Sequence, residues 1–556
     1  MQVAPKLRNW RHHGGLALAY ALCSGCFIAA RADFAPYDDS HFFKRVALHL
    51  LTAGQLAWNV DEGPVYGMTS LLFQGLAVPV ATVAPEHFML SIRLLSWVGA
   101  VVTYMLLCSI TRRLDETLSA TWLSLSPTAL FALLSGMETT VALALVSWTL
   151  WLLLSPTGRR QHWSLSPVAV LSVYLVRPDA TLLVAPVLLA LRWKESRRMP
   201  LREIGLLAAG LSAVLLACDA YFGTPLPLSF YAKHALLSPY DPAFVEGSRP
   251  SSYQRFAVFA LFAAPAFGFA LAKRDLTNTS LLLSATAHGI YHLFSTIDIM
   301  GMHGRFYAPA IPLLAVASAR GLQVFEQAGY RTLIHRAPTA FLAAFAGMAL
   351  GGLLPMRAGF HPESVEPLFY ACSVPALALA MSCAHDAKRR APAILGLLLV
   401  GTLGSAGLLV GRRVRLHSDR DFLELQAART TTARGLDAVQ RCLGPDAHVY
   451  HSEVGLVGLL LPKGKVTDVV GLQSPRWLFR APDSFDELCS ADRPEAIFLP
   501  HRNYGELNRE IRRGTCIKGY RQVVRRSSSP LFVRADVHER FLACAKTTED
   551  PWISRP

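Results

Sequence analysis

The chain is short of charge. Only 17% of its 556 residues are Asp, Glu, Lys or Arg, while 52% are hydrophobic, and its mean hydropathy is +0.33. A water-soluble domain carries about a quarter charged residues. The scarcity therefore excludes an ordinary soluble protein and points to a polytopic membrane protein. Acid is scarcer than base, 39 residues against 54, for a formal net charge of +15. That excess would fit nucleic acid only if the cations shared one surface. They fall instead in the connections between apolar runs, where they hold topology and meet anionic lipid, so nucleic acid is not an expected partner.

Other absences narrow the chemistry. There is no Gly-rich phosphate loop and no nucleotide-sugar motif, no low-complexity tract, and no repeat with a period of roughly 20–50 residues. The polar C-terminal part has no CxxC pair, which argues against a zinc site. Its four cysteines, Cys442, Cys489, Cys516 and Cys544, are even in number and allow one or two disulfides in an oxidising compartment, with connectivity open. The other six (Cys23, Cys26, Cys108, Cys218, Cys372, Cys383) lie in or beside apolar segments and read as small hydrophobes.

What is there in quantity is apolar sequence. The basic N-terminus leads into an apolar run without a clean small-residue cleavage site, so it reads as a retained first span. Spanning runs stand near 14–30, 91–110, 117–134, 138–155, 164–176, 180–193 and 203–220, then near 254–272, 279–297, 305–320, 338–354, 366–384 and 392–410. This predicts a mainly α, polytopic helical bundle of about 13 spans. The two short runs around Val176–Asp179 read as two short helices or one re-entrant hairpin.

One further run, Met68–Ala84, is placed by charge. If it spans, the basic connections at Arg112–Arg113, Arg159–Arg160, Arg192–Arg198 and Lys388–Arg390 all fall outside. If it lies on the membrane surface they all fall inside, as the positive-inside rule requires. Residues 31–90 are then one external loop carrying an interfacial helix. On the same face fall Asp38, Asp39, Glu138, Arg177, Asp179, Lys233, Asp298 and Arg305, and charge at a membrane boundary is costly and usually functional. From about Gly411 the composition turns soluble. The runs AHVYHS, KVTDVV, EAIFLP and PLFVRA read as strands and GELNREIRR as a helix. The predicted organisation is a membrane module over 1–410 and a small external α/β domain over 411–556.

At this point an ordered set of motifs resembles the bacterial membrane glycosyltransferases of the GT-C fold, in particular the arabinofuranosyltransferase B-like branch. It comprises Asp38–Asp39, Arg45-Val46-Ala47, Gly54, Asn59 and Gly67-Met68-Thr69-Ser70 in the first loop. It continues with Ser135-Gly136-Met137-Glu138-Thr139, Arg177-Pro178-Asp179, Phe230-Tyr231-Ala232-Lys233, Asp298 and Gly304-Arg305-Phe306, with a weaker match at Asp468 and Gly471-Leu472. Tyr66 stands where that branch usually has an acidic residue, and Met68 where it has an aromatic one.

The resemblance implies a polyprenyl-phosphate sugar donor, a glycan, lipid or protein acceptor, and a bacterial inner membrane with the active site on the periplasmic side. It also implies a catalytic carboxylate in the first loop. We assign this to Asp38, with Asp39 orienting it; the bland alternative is that one of the two caps the helix beginning at Ser40. Lys44, Arg45, Arg177, Lys233 and Arg305 are the candidate donor-phosphate ligands, against the alternative of snorkelling to lipid headgroups. Thr69, Ser70, Glu138, Tyr231, His292, Asp298 and His303 are candidates for lining the substrate cavity. His288 and His292, four apart on one helix face, suit a metal but lack a third ligand at a telling spacing. They read better as a polar pair, so no metal site is assigned, although a divalent cation stays open as cofactor. Glu453 and Asp468 of the tail read as surface charges, with acceptor contact as the sharper alternative.

The chain is thus expected to be an enzyme moving a sugar, arabinofuranose on the resemblance, from a lipid phosphate to a cell-envelope acceptor. The rival is a transporter or lipid-linked-sugar flippase, which predicts internally repeated broken helices and charge at mid-membrane depth. A scaffold protein is a second rival, and it would not need the Asp38–Asp39 pair.

Overall fold

A computed structural model describes residues 5–30, 39–111, 117–155, 163–234, 252–297 with short internal gaps, 302–325, 433–452, 454–480, 484–500, 504–524 and 530–547. The runs expected near 338–354, 366–384 and 392–410 lie outside the described residues, as do Asp38, Asp298 and Glu453.

The architecture is the expected one: a membrane helical bundle followed by a small α/β domain. The membrane part comprises α1 (Pro5–Ala30), α2 (Ser40–Ala53), α3 (Leu71–Val83), α4 (Phe88–Thr111), α5 (Thr117–Ser124), α6 (Pro127–Leu134) and α7 (Thr139–Leu154). It continues with α8 (Ser166–Val176), α9 (Thr181–Ser196), α10 (Leu201–Phe222), α11 (Leu228–Lys233), α12 (Leu276–Ser295) and α13 (Ile311–Phe325). Among the described residues, α4 and α10 are long and apolar enough to cross a membrane, while several other apolar helices are shorter. The run near 117–134 is broken in two at Leu125–Ser126, where Ser126 caps α6 by accepting the Ala129 N–H and Pro127 takes the first helical position.

Two local features shape the site. The pair α8 and α9 forms two short helices joined by a 3-10 turn at Pro178–Ala180, one of the two readings of that stretch. The helix α3 has 13 residues, about 20 Å at 1.5 Å per residue, which falls short of a hydrocarbon core of ~30 Å. It packs on α2, α4 and α8.

The C-terminal part holds a five-stranded sheet of order β2-β1-β3-β5-β4, with β1 (Val449–His451), β2 (Val466–Asp468), β3 (Ala496–Phe498), β4 (Tyr520–Gln522) and β5 (Leu531–Arg534). The first three strands are parallel, and β3–β5 and β4–β5 are antiparallel. Four strands fall on the expected runs. The fourth in sequence, β4, was not among them: two of its three residues, Arg521 and Gln522, are polar and exposed, so it carries no apolar signal. Two disulfides staple the domain, Cys442–Cys544 and Cys489–Cys516, which settles the connectivity.

The two parts meet through α2 and the first loop. The helix α14 (Val454–Leu460) packs on α2, and Arg45 reaches from α2 into the seam. Its guanidinium donates to the carbonyls of Trp58 (2.8 Å), Gly458 (2.8 Å), Leu461 (2.7 Å) and Gly464 (2.9 Å), and to Asn59 Oδ1 (3.2 Å). It also lies 4.8 Å from the centroid of the Trp58 ring. Trp58 Nε1 donates to the Val466 carbonyl at 2.8 Å, and Asn59 bonds both the N–H and the carbonyl of Val466, extending the edge of β2. Gly458 must be glycine, since a β-carbon there would overlap the Trp58 indole. This overturns the phosphate-ligand reading of Arg45. It is buried and wholly engaged in bonds to its own chain, where a bidentate donor for phosphate would have to stay open.

Two outcomes follow for stability. Arg45→Met leaves four buried carbonyls without their donor, at about 1–3 kcal/mol for each group not rescued by water. Thermal unfolding should show a loss of at least ~3 kcal/mol, together with faster proteolysis in the C-terminal domain, and an unchanged midpoint would show that the seam is not held this way. Separately, Cys442→Ser opens a bridge of sequence separation 102 and Cys489→Ser one of 27. The loop-entropy estimate gives losses of about 5 and about 3.5 kcal/mol, readable in denaturant titrations, with the longer loop the costlier.

Candidate active site

A cavity of about 570 Å³, its open mouth included, lies where the first loop, the α8–α9 turn, α11, the 3-10 turn Met302–Ala310 and the sheet domain converge. Asp39, Phe42 and Phe43 line it from the start of α2. Gly67, Met68 and Thr69 line it from the loop before α3, and Met137 and Glu138 from the start of α7. Arg177 and Asp179 come from the α8–α9 turn, Ser229 and Lys233 from α11, Arg305 and Phe306 from the 3-10 turn, and Leu472 from the sheet domain. Residues up to 433 positions apart in the chain thus share one wall system, Asp39 and Leu472 being the extremes (472 − 39 = 433).

Asp39 occupies the N-cap position of α2, but its backbone is already helical and its carboxylate makes no cap bond. It faces Lys233 Nζ instead, at 3.5 Å. The capping role weighed for this pair is therefore not what the Asp39 side chain does. Glu138 likewise precedes α7 without a cap bond. It is buried, with Oε1 3.9 Å from Arg177 Nη1.

Arg177 is the hub of the interior side. It grips Asp179 with two bonds, Nε to Oδ1 at 3.2 Å and Nη2 to Oδ2 at 3.0 Å. From α12, His292 Nε2 lies 2.9 Å and His288 Nε2 3.3 Å from the same Oδ2. His292 in turn stacks on Phe306 at 5.3 Å with the planes 4° apart. Asp179, His288 and His292 form the one group among the described residues whose ligand atoms lie close enough to hold a cation. Their chemistry fits that role poorly. Both carboxylate oxygens are already held by a guanidinium, which places positive charge beside the space an ion would take, and both imidazoles point at one oxygen. The arrangement reads as a closed hydrogen-bond network that fixes Arg177.

The sequence-predicted residues divide accordingly. Asp39, Thr69, Glu138, Arg177, Lys233 and Arg305 line the cavity. His292 stands one layer behind it, through Asp179. Tyr231 is not among the lining residues; its ring meets Phe479 of the sheet domain edge-on at 5.4 Å. Ser70 does not line it: its Oγ accepts the Phe73 N–H at 3.2 Å and caps α3, a role the Ser-before-apolar-run pattern signals. Lys44 is not on the cavity wall either; it is half-buried on α2, where the carboxylate of Glu86 acts on it. Asp38 and Asp298, and the side chain of His303, lie outside the described residues. In sequence Asp179 stands out as a boundary charge and as part of the Arg177-Pro178-Asp179 motif, with no partner assigned to it. Its pairing with Arg177 two residues away and with His288 and His292, 109 and 113 residues on, is a tertiary fact that spacing alone does not carry.

Asp468 needs a further correction. It is fully buried at the end of β2 rather than a surface charge. Its Oδ1 accepts the Val470 N–H at 2.9 Å and its Oδ2 the Gln473 N–H at 2.8 Å. The carboxylate so shapes the turn that delivers Leu472 to the cavity. Burial pushes the Asp468 carboxyl up to about 7, against the pull of those N–H donors.

No family model and no curated protein matches the chain. Among solved structures it is similar to ArnT from Cupriavidus metallidurans bound to undecaprenyl phosphate. The two are 13% identical with a TM-score of 0.51, over 93% of this chain and 98% of that one. It is also similar to the same protein in the apo state, at 14% identity and a TM-score of 0.50, over 94% and 98%. At that identity the likeness is one of fold, a multi-span membrane GT-C architecture, and it runs nearly the whole length of both chains.

The buried Asp468 carries a pH prediction. A carboxyl raised from its ordinary value of about 4 to about 7 on folding stabilises fully below pH ~4. That contribution is lost as pH rises through ~7. The unfolding midpoint of the sheet domain should therefore fall across pH 4–7 in the wild type and lose that slope in Asp468→Asn. An identical pH profile in the two proteins would refute the assignment.

Proposed function

We propose that the chain is a membrane glycosyltransferase that moves a sugar from a polyprenyl phosphate to a hydroxyl of a cell-envelope acceptor. The observation that carries this reading is the cavity itself, where Asp39, Lys233, Arg177 and Arg305 converge beside Glu138 and Asp179. A fold shared with a protein that has been crystallised with undecaprenyl phosphate supports it.

The chemistry follows from these groups. The bond from the anomeric carbon to the phosphate oxygen breaks, the acceptor oxygen bonds that carbon, and the acceptor's proton passes to a carboxylate. Asp38 is the base and Asp39, its neighbour paired to Lys233, orients it. Lys233, Arg177 and Arg305 take up the charge of the departing lipid phosphate, Lys233 as a point charge and the arginines as forks. Arg45 is withdrawn from that role and Lys44 sits apart from it. The sugar is a pentofuranose on the resemblance to the arabinofuranosyltransferase B-like branch, with Tyr66 and Met68 as the places where its pattern is altered. Tyr66 stacks on Phe222 and is not among the lining residues, whereas Met68 lines the cavity, so Met68 is the residue positioned to affect sugar choice.

The setting is the bacterial inner membrane, with residues 1–410 as the transferase module and residues from about 411 onward as a domain on the periplasmic side. Two disulfides in that domain support an oxidising compartment.

The test uses the purified full chain with a panel of polyprenyl-phosphate pentoses and hexoses. At least one donor should be consumed, with turnover falling about 10²-fold or more in Asp38→Asn and in Asp39→Asn. Lys233→Met should raise the donor KM by roughly tenfold, as loss of one charge-assisted contact does. Consumption of no donor by the wild type would sink the proposal.

A further inference from the structure

Among the described residues lining the cavity, Leu472 is the one contributed by the sheet domain, and it is uncharged. The residue beside it is the anomaly. Gln473 is 1% exposed, and neither its amide nitrogen nor its amide oxygen has a hydrogen-bond partner. Its carboxamide lies against the cavity-lining residue Gly67. A β-carbon at Gly67 would overlap it, so glycine is what leaves room for it. A buried amide left unmatched is costly, and a ligand that pairs with it would relieve that cost. The turn does not need that side chain for its own shape, since Asp468 fixes it through the backbone N–H groups of Val470 and Gln473.

A second observation lies six residues on. Phe479 is the one large hydrophobic side chain of the described sheet domain that is exposed, at 56%. It follows the short helix Pro475–Leu478, which packs on α11, and its ring meets Tyr231 edge-on at 5.4 Å. Two residues from Tyr231, Lys233 lines the cavity.

We propose that the segment from Leu472 to Phe479 forms the acceptor side of the cavity and takes a neutral saccharide. In this site Gln473 is a specificity-determining residue that hydrogen-bonds sugar hydroxyls, and the Tyr231–Phe479 pair meets the sugar's C–H face. The chemistry selects this ligand class. A carboxamide offers one acceptor and a two-proton donor at a fixed spacing, which matches neighbouring hydroxyls and gives no advantage to an anion. Aromatic rings add apolar contact without charge. The cations, by contrast, come from the α8–α9 turn, α11 and the 3-10 turn, so phosphate and saccharide are recognised from different walls. The inference rests on the glycosyltransferase reading and names the acceptor class of that same site.

The experiment measures binding without turnover. The full-length protein in detergent is titrated by calorimetry with a panel of neutral arabino-, manno- and gluco-oligosaccharides, and separately with undecaprenyl phosphate. At least one oligosaccharide should bind. Gln473→Leu should weaken it tenfold or more and Phe479→Ala about threefold to tenfold, while affinity for undecaprenyl phosphate stays within twofold. The thermal midpoint of Gln473→Leu should hold or rise, because the change removes an unpaired buried amide; a Gln with a structural role would lower it. Absence of oligosaccharide binding, binding indifferent to Gln473→Leu, or weakened undecaprenyl-phosphate binding in its place would each overturn the proposal. A chain that consumes donor yet shows any of these keeps its transferase role and loses this acceptor site. Saccharide binding through Gln473 without donor consumption is the converse failure.

Discussion

The structure depends on one buried guanidinium. Arg45 leaves the first turns of α2 and donates to four carbonyls, one in its own loop and three in the sheet domain. Removing a charge from water costs several kcal/mol unless every proton finds an acceptor, and here the acceptors belong to two parts of the chain more than 400 residues apart. The charge can therefore be satisfied only when the sheet domain is docked. Docking fixes β2 against Trp58 and Asn59. The end of β2 fixes Asp468, and Asp468 fixes the turn that closes the cavity. A bond far from the proposed chemistry thus sets the position of the wall that Leu472 contributes.

Much of this was legible in the sequence, and the misreadings have physical causes. The helices of the described residues and four of five strands follow from apolar periodicity, which reports burial. The convergence of boundary charges on one site follows from the cost of charge in a membrane. Periodicity says nothing about partners. Arg45 and Arg177 look alike in sequence, each a cation beside an apolar run, yet one binds carbonyls of a distant domain and the other binds Asp179. Asp468 reads as surface charge because carboxylates are rarely buried. Only the tertiary structure shows the N–H groups gathered around it.

The site's local rules bend where its chemistry is proposed. Asp39 and Glu138 both stand at helix N-caps, where a carboxylate ordinarily accepts from the helix's first N–H groups, and neither does so. Both side chains turn toward cations of the cavity instead. Ser70 and Ser126, at comparable positions away from the cations, cap in the ordinary way. Ser474 and Ser484 of the sheet domain also leave their helices uncapped, so what sets Asp39 and Glu138 apart is that each faces a cation of the cavity instead.

The ion pairs of the cavity fall into two strengths. Arg177 holds Asp179 at 3.0 and 3.2 Å, with two imidazoles on the same carboxylate, a geometry that resists exchange. Lys233 meets Asp39 at 3.5 Å and Arg177 meets Glu138 at 3.9 Å, beyond the ~2.7–2.9 Å of a strong charge-assisted bond. On the glycosyltransferase reading an entering phosphate competes with the long pairs and leaves the short one intact. Lys233 and the outer nitrogen of Arg177 then turn to the phosphate, and Asp39 is released beside the sugar as the donor arrives. The rigid pair keeps Arg177 in place while this happens. The loose pairs let the cavity hold its charges balanced until a ligand takes them over.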